Sequence, residues 1–408
     1  MPEQNPTEYH VTATAREYDE AVDAIASGRG PVAVDAERAS GFRYSQKAYL
    51  IQVFRRDAGV FLFDPIALAE EVGPELTDLQ AAISHDEWVI HAASQDLACL
   101  REVGLDPETV FDTELAARLL GLPRVGLGPL VENLLGIHLA KEHSAADWST
   151  RPLPQSWLTY AALDVELLVD LRDAVEKLLD ESGKSDIAHQ EFHGELVKEA
   201  KVPRAEPWRR LSGIHAVRGA RNLAVARELW LARDALAREK DTAPGRLVPD
   251  ASLTAAAKLM PNSKRELAAL KEFNGRASRS ELDRWWAAIE LGRTTTDLPV
   301  PRPAGDNMPP VRAWADRNPT ADARYRLARE LVTAYAEEHQ IPVENVLMPD
   351  LLRRVSWEPP GAVDAASVGA QLAAGGARPW QVEATAPLIV AAFVEAEQAD
   401  DEDGESAS

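Results

Sequence analysis

The hexapeptide Val32-Ala33-Val34-Asp35-Ala36-Glu37 reads as a buried strand ending in two acids. Three consecutive apolar residues, two of them β-branched, mark a strand covered on both faces. Alternate side chains of a strand share a face, so Asp35 and Glu37 point the same way. Two carboxylates on one face of a buried strand repel each other unless a cation lies between them. Divalent magnesium or manganese suits such oxygen ligands. A D-x-E pair alone is a frequent chance occurrence. Its weight comes from what accompanies it along the chain.

The stretches Ala48 to Arg55, Val60 to Asp64 and Trp88 to His91 also read as short strands, rich in β-branched and aromatic residues. The first three strands follow one another too closely for helical crossovers, which predicts an antiparallel meander. Helical periodicity appears near Ala15 to Ser27, Leu76 to Ser84, Ser94 to Val103 and Thr113 to Leu120. Residues 1–200 therefore form an α/β unit, a mixed sheet with helices packed on it. A single long helix is predicted from Pro154 to Gly183, because Leu158, Ala161, Val165, Leu168, Leu171, Val175 and Leu178 make one apolar stripe.

Three further side chains join the acidic pair. Asp96 follows a strand and a turn; with Ser94 as N-cap it falls in the first turn of a helix. Tyr160 and Asp164 lie four apart on the long helix, hence on one face. Four carboxylates suit two cations roughly 3.5–4 Å apart, the arrangement used for in-line phosphodiester cleavage. A hydroxyl one turn from a metal-binding carboxylate can orient a water for attack on phosphorus. Taken singly, each element has a plain structural reading, as a helix-start acid or a helix surface edge. His91 and His143 are hydrogen-bonded structural histidines by default, with assistance at the site as the alternative.

The three segments, in this order, resemble the ribonuclease D branch of the DnaQ-like 3′–5′ exonucleases. That family carries four acids and a tyrosine in three motifs, which map onto Asp35 and Glu37, onto Asp96, and onto Tyr160 and Asp164. The likeness extends to Ala48-Tyr49-Leu50-Ile51-Gln52, to Phe111-Asp112-Thr113 and to Asp147-Trp148-Ser149-Thr150-Arg151-Pro152-Leu153. It implies a ribonuclease H-like mixed β-sheet flanked by helices, followed by one or two all-helical HRDC-type domains. Residues 207–293, with Trp208-Arg209-Arg210 and the Met260-Pro261 region, resemble the HRDC nucleic-acid-binding module. Ala36 stands where relatives usually have threonine, and Ala92 where asparagine is common. The segment from Arg38 to Tyr44 departs from the family pattern and reads equally as a contact for the substrate's 3′ end or as a structural loop.

Beyond residue 205 strand signals nearly vanish. Residues 294–311 form a proline-rich linker, 312–396 a second helical HRDC-like domain and 397–408 an acidic disordered tail. The net charge of −22 argues superficially against a nucleic-acid partner. Its distribution does not: Pro207 to Arg293 holds 17 Lys/Arg against 10 Asp/Glu, a local +7. Within it Arg218, Arg221, Arg227, Arg238, Lys264, Arg265, Arg276 and Arg279 are candidate phosphate contacts, with solvated helix faces as the alternative. Trp285 and Trp286 read as core or interface residues. The one cysteine, Cys99, excludes an internal disulfide and a cysteine-rich zinc site. No signal-peptide pattern and no bilayer-length apolar run are present, so a cytoplasmic protein is expected.

The resulting expectation is a metal-dependent 3′–5′ exoribonuclease using two Mg2+ or Mn2+ ions. Asp35, Glu37, Asp96 and Asp164 would be the ligands and Tyr160 the water-positioning group. RNA with an accessible 3′ end would be the substrate, with tRNA precursors suggested by family likeness. A DNA exonuclease with the same acids, and a catalytically silent RNA-binding scaffold, are the rival readings.

Overall fold

A computed structural model describes residues 8–139, 145–198, 205–273, 275–300 and 308–406. His143 lies outside them, as do Asn274 and residues 301–307 of the linker.

Six strands form one mixed sheet, ordered β1-β4-β3-β2-β5-β6: β1 Tyr9–Thr12, β2 Arg29–Arg38, β3 Ala48–Arg56, β4 Gly59–Phe63, β5 Glu87–Ile90 and β6 Thr109–Asp112. The meander β2-β3-β4 is antiparallel, while β1, β5 and β6 each pair parallel with their neighbours. Val32, Ala33 and Val34 on β2 are fully buried at the sheet's centre, as their apolar run requires. A register shift between Glu37 and Arg38 marks a bulge at the end of β2.

The helices of this unit are α1 Ala15–Ala26, α2 Pro65–Glu71, α3 Thr77–Ile83, α4 Leu97–Arg101, α5 Thr113–Leu119, α6 Leu127–Leu135, α7 Gln155–Glu166, α8 Leu168–Ser182 and α9 Ser185–Leu196. Where the apolar stripe predicts one helix from Pro154 to Gly183, the structure has two, interrupted at Leu167. The break lets α7 cover β2, β3 and β4 while α8 turns over β2 and β5. Both halves keep the stripe facing inward, so its periodicity passes through the interruption unseen.

The turn after β5 also differs from expectation. Ala92 takes the left-handed conformation (φ 64°), a short 3-10 turn spans Ala93–Gln95, and Asp96 stands at the boundary of α4 instead of within its first turn. Asparagine tolerates that backbone better than alanine.

Among the described residues after Asp112, no strand occurs. The middle segment is led by α10, Ala220–Glu239, which packs against the helices Asp250–Leu259 and Leu282–Thr294. It has its own core, containing Trp208, Leu229, Phe273, Trp285 and Ile289. Trp285 is fully buried and its indole N–H donates to Ser278 O at 2.9 Å. The C-terminal helices behave differently. Ala328, Val332, Val355 and Phe393 belong to the same continuous core as the sheet. The Trp380 indole seals that seam by donating to Glu191 Oε1 on α9 at 2.8 Å. The last helix runs Pro379–Ser406, so its backbone continues where composition predicts a disordered tail. Helix propagation from an anchored end costs little once nucleation has been achieved. No helix among the described residues is long and apolar enough to cross a membrane.

Candidate active site

Three elements converge on one cavity of about 650 Å³. The end of β2 contributes Asp35 and Glu37, the turn after β5 contributes Asp96, and α7 contributes Tyr160 and Asp164. Oxygens of Asp35, Glu37 and Asp164 lie within 4.8 Å of one another. Ligands of a single Mg2+ or Mn2+ at about 2.1 Å sit at most about 4.2 Å apart, so these oxygens are already close to coordinating distance. Asp96 stands outside that trio but lines the same cavity, close enough to Asp35 for that charge to add to burial in raising its proton affinity. Tyr160 faces Asp164 across one helical turn, and burial and then the Asp164 charge raise the proton affinity of its hydroxyl.

Burial dominates the electrostatics. It raises Asp35 and Asp164 above the usual carboxylate range. Glu37 is pushed up to about 10, first by burial and then by Asp35, Asp164 and Asp96. Asp96 is pushed up to about 8 by burial and by Asp35. The four acids therefore cannot all ionise together without added positive charge. An all-oxygen donor set that needs positive charge matches a hard divalent cation, and the residues present fit that group. Burial also raises the Tyr160 hydroxyl, which remains a proton donor across ordinary pH.

Two neighbours were not singled out by motif reasoning. Arg38 is the first. Strict strand alternation would send its side chain away from Glu37, but the bulge re-aims it into the cavity, where its Nη2 lies 3.5 Å from Asp96 Oδ1. Its charge also lowers the proton affinity of Asp35, Glu37 and Asp96. Asp112, at the end of β6, is the second. Its buried carboxylate accepts from Ala92 N (3.0 Å) and Ala93 N (2.8 Å), and caps α5 through Glu114 N and Leu115 N. It thus fixes the turn that presents Asp96. An acid directly before a helix start, as in Asp112-Thr113, is the available sequence signal for such a cap. His91 lines the cavity, with Nδ1 2.9 Å from Thr113 Oγ1. Burial depresses its pKa to about 4, so it is neutral at physiological pH.

The eight basic candidates of the middle segment divide into two groups. Arg221 bonds Gly292 O and Thr295 O, Arg227 pairs with Glu228 and Asp297, Arg238 with Asp234 and Lys264 with Asp283. Arg218, Arg265, Arg276 and Arg279 are exposed.

A mixed sheet that delivers four acids and a tyrosine to one cavity defines a nuclease of the 3′–5′ exonuclease class. Residues 9–180 match the 3′-5′ exonuclease family, 222–289 the HRDC domain and 307–393 the 3′ to 5′ exonuclease C-terminal domain. Ribonuclease D of Pseudomonas paraeruginosa is 32% identical over 290 residues, spanning 68% of this chain and 73% of that protein. A protein of Bifidobacterium adolescentis superposes with a TM-score of 0.86 at 36% identity, covering 94% of this chain and 96% of its own. Escherichia coli RNase D, 24% identical, shares the fold with a TM-score of 0.69 over 95% of this chain and 99% of its own. The chain belongs to the ribonuclease D family and is a 3′–5′ exoribonuclease.

Proposed function

We propose that Asp35, Glu37, Asp96 and Asp164 hold two divalent cations, Mg2+ or Mn2+, and that Tyr160 positions the water that attacks the last phosphodiester of an RNA 3′ end. The observation that carries this reading is the convergence of acidic oxygens from β2 and α7, with Asp96 lining the same cavity. Bound there, the cations would supply the charge that activates water and stabilises the leaving 3′ oxygen. The chain's own groups do the rest. Asp164 orients the Tyr160 hydroxyl, and that hydroxyl holds the water. Arg38 offsets the acids on the approach to the cavity.

Residues 1–200 are the catalytic unit in this reading. The helical segments 207–293 and 312–396, separated by the linker 294–311 and followed by the tail 397–408, hold the RNA body. Arg218, Arg265, Arg276 and Arg279 are its free-facing phosphate contacts, and Arg221, Arg227, Arg238 and Lys264 engage RNA only by exchanging present partners. Structured RNA such as tRNA precursors is the proposed substrate, in a cytoplasmic setting. The E. coli enzyme is described as an exoribonuclease involved in structured RNA processing.

The test is end-labelled RNA incubated with the purified chain and Mn2+. A ladder shortening from the 3′ end is expected. Asp35→Asn lowers the rate by roughly a hundredfold or more while the fold is retained. Full turnover by that variant, or trimming that persists in chelator, contradicts the assignment.

A further inference from the structure

The loop between β2 and β3 is held by the middle helical segment, and the same loop walls the catalytic cavity. Ser40, Gly41 and Phe42 line the cavity beside Glu37 and Arg38. The Gly41 carbonyl accepts from Arg246 Nε at 2.7 Å, and the Phe42 carbonyl accepts from Ala243 N at 2.9 Å. The Arg246 guanidinium also lies over the Phe42 ring, 3.9 Å from its centroid. Further along the loop, Ser45 donates from N (2.8 Å) and Oγ (3.2 Å) to the Asp241 carboxylate, to which the Tyr49 hydroxyl donates at 3.4 Å. Asp241 adopts a left-handed backbone (φ 41°), sparsely populated for a residue with a side chain; such conformations persist where the surroundings over-determine them. Tyr44 packs on the helical core and donates to Asp234 Oδ1 at 3.0 Å.

The donors that engage the loop's Gly41 and Phe42 carbonyls come from a different part of the chain. The wall facing the reacting end of the substrate is thus assembled from two segments about 200 residues apart in sequence. We propose that Asp241 and Arg246 are positioning residues for the terminal-nucleotide cavity: they hold the 40–45 loop in the shape that receives the RNA 3′ end. The HRDC-matched segment then acts on catalysis by bracing the cavity, in addition to any grip on the RNA body. This rests on the exoribonuclease reading of the cavity.

The test compares Arg246→Ala and Asp241→Ala in the full chain on a trinucleotide RNA, too short to reach far beyond the cavity. The two variants change charge in opposite directions. A direct phosphate contact predicts weaker binding for the first and none for the second. Bracing predicts that both raise KM by about tenfold or more, at least the cost of losing one charge-assisted hydrogen bond, with kcat changed far less. Arg246→Lys, which keeps one donor for Gly41 O, recovers part of the loss. Should Asp241→Ala fail to fold, Asp241→Asn with its weaker acceptor is read in the same way. An unchanged KM for the aspartate variant, or an arginine effect seen only on long RNA, overturns the proposal while wild-type trimming still stands. A wild-type chain that trims neither substrate overturns the underlying reading instead.

Discussion

Tyr160 and Asp164 sit one helical turn apart on α7, and both line the cavity, which sets a hydroxyl beside the acidic cluster. Tyr160→Phe keeps the ring and removes only the hydroxyl. It is expected to lower kcat by roughly a hundredfold with KM little changed, because the group acts on the water and not on ground-state binding. Steady-state kinetics on a short RNA measures this; a loss confined to KM contradicts it. Strand and helix periods alone put Asp35 with Glu37 and Tyr160 with Asp164 on shared faces, and the fold brings the two pairs to one cavity. Arg38 escaped because its orientation depends on a bulge, a register property of the pairing with β3 that one strand's own residues do not encode.

At the scale of elements, the turn from β5 through α4 to α5 is held by buried polar groups. His91 lies half-buried beside them, and desolvation depresses its pKa to about 4 from the usual 6.5. Between those values the unfolded chain binds more protons than the folded one. His91 therefore contributes stability that is present above about pH 6.5 and is lost as pH falls towards 4. Denaturant unfolding at pH 4, 5 and 6.5 should show a flatter acid limb for His91→Asn than for the wild type. Identical limbs contradict the assignment. Strands β2 to β5 were legible because apolar, β-branched runs with turn residues between them have few other solutions. Strands β1 and β6 were not, since Tyr9-His10-Val11-Thr12 and Thr109-Val110-Phe111-Asp112 lack the run Trp88-Val89-Ile90 that marks the equally short β5. The α7–α8 break was equally hidden: neither glycine nor proline stands near Leu167 to mark it.

For the whole molecule, charge is segregated: a locally basic helical segment sits in a chain of net −22. If the exposed Arg218, Arg265, Arg276 and Arg279 meet phosphates, changing all four to glutamine reduces the salt dependence of RNA binding by up to about 3 in the log–log slope. An unchanged slope removes them from the interface. The helical segment's own core and the shared core of sheet and C-terminal helices show why domain borders were only partly legible. The linker and the composition shift are local, whereas the fusion of residues 328–393 with the catalytic core is a packing result. The same long-range closure brings β2, the β5 turn and α7 to one cavity, and the central claim is that this convergence is a cation site. Calorimetric titration of the chain with Mn2+ tests it most directly. Two ions per chain are expected for the wild type, with binding lost or greatly weakened in Asp35→Asn; no binding by the wild type, or equal binding by both, contradicts the account.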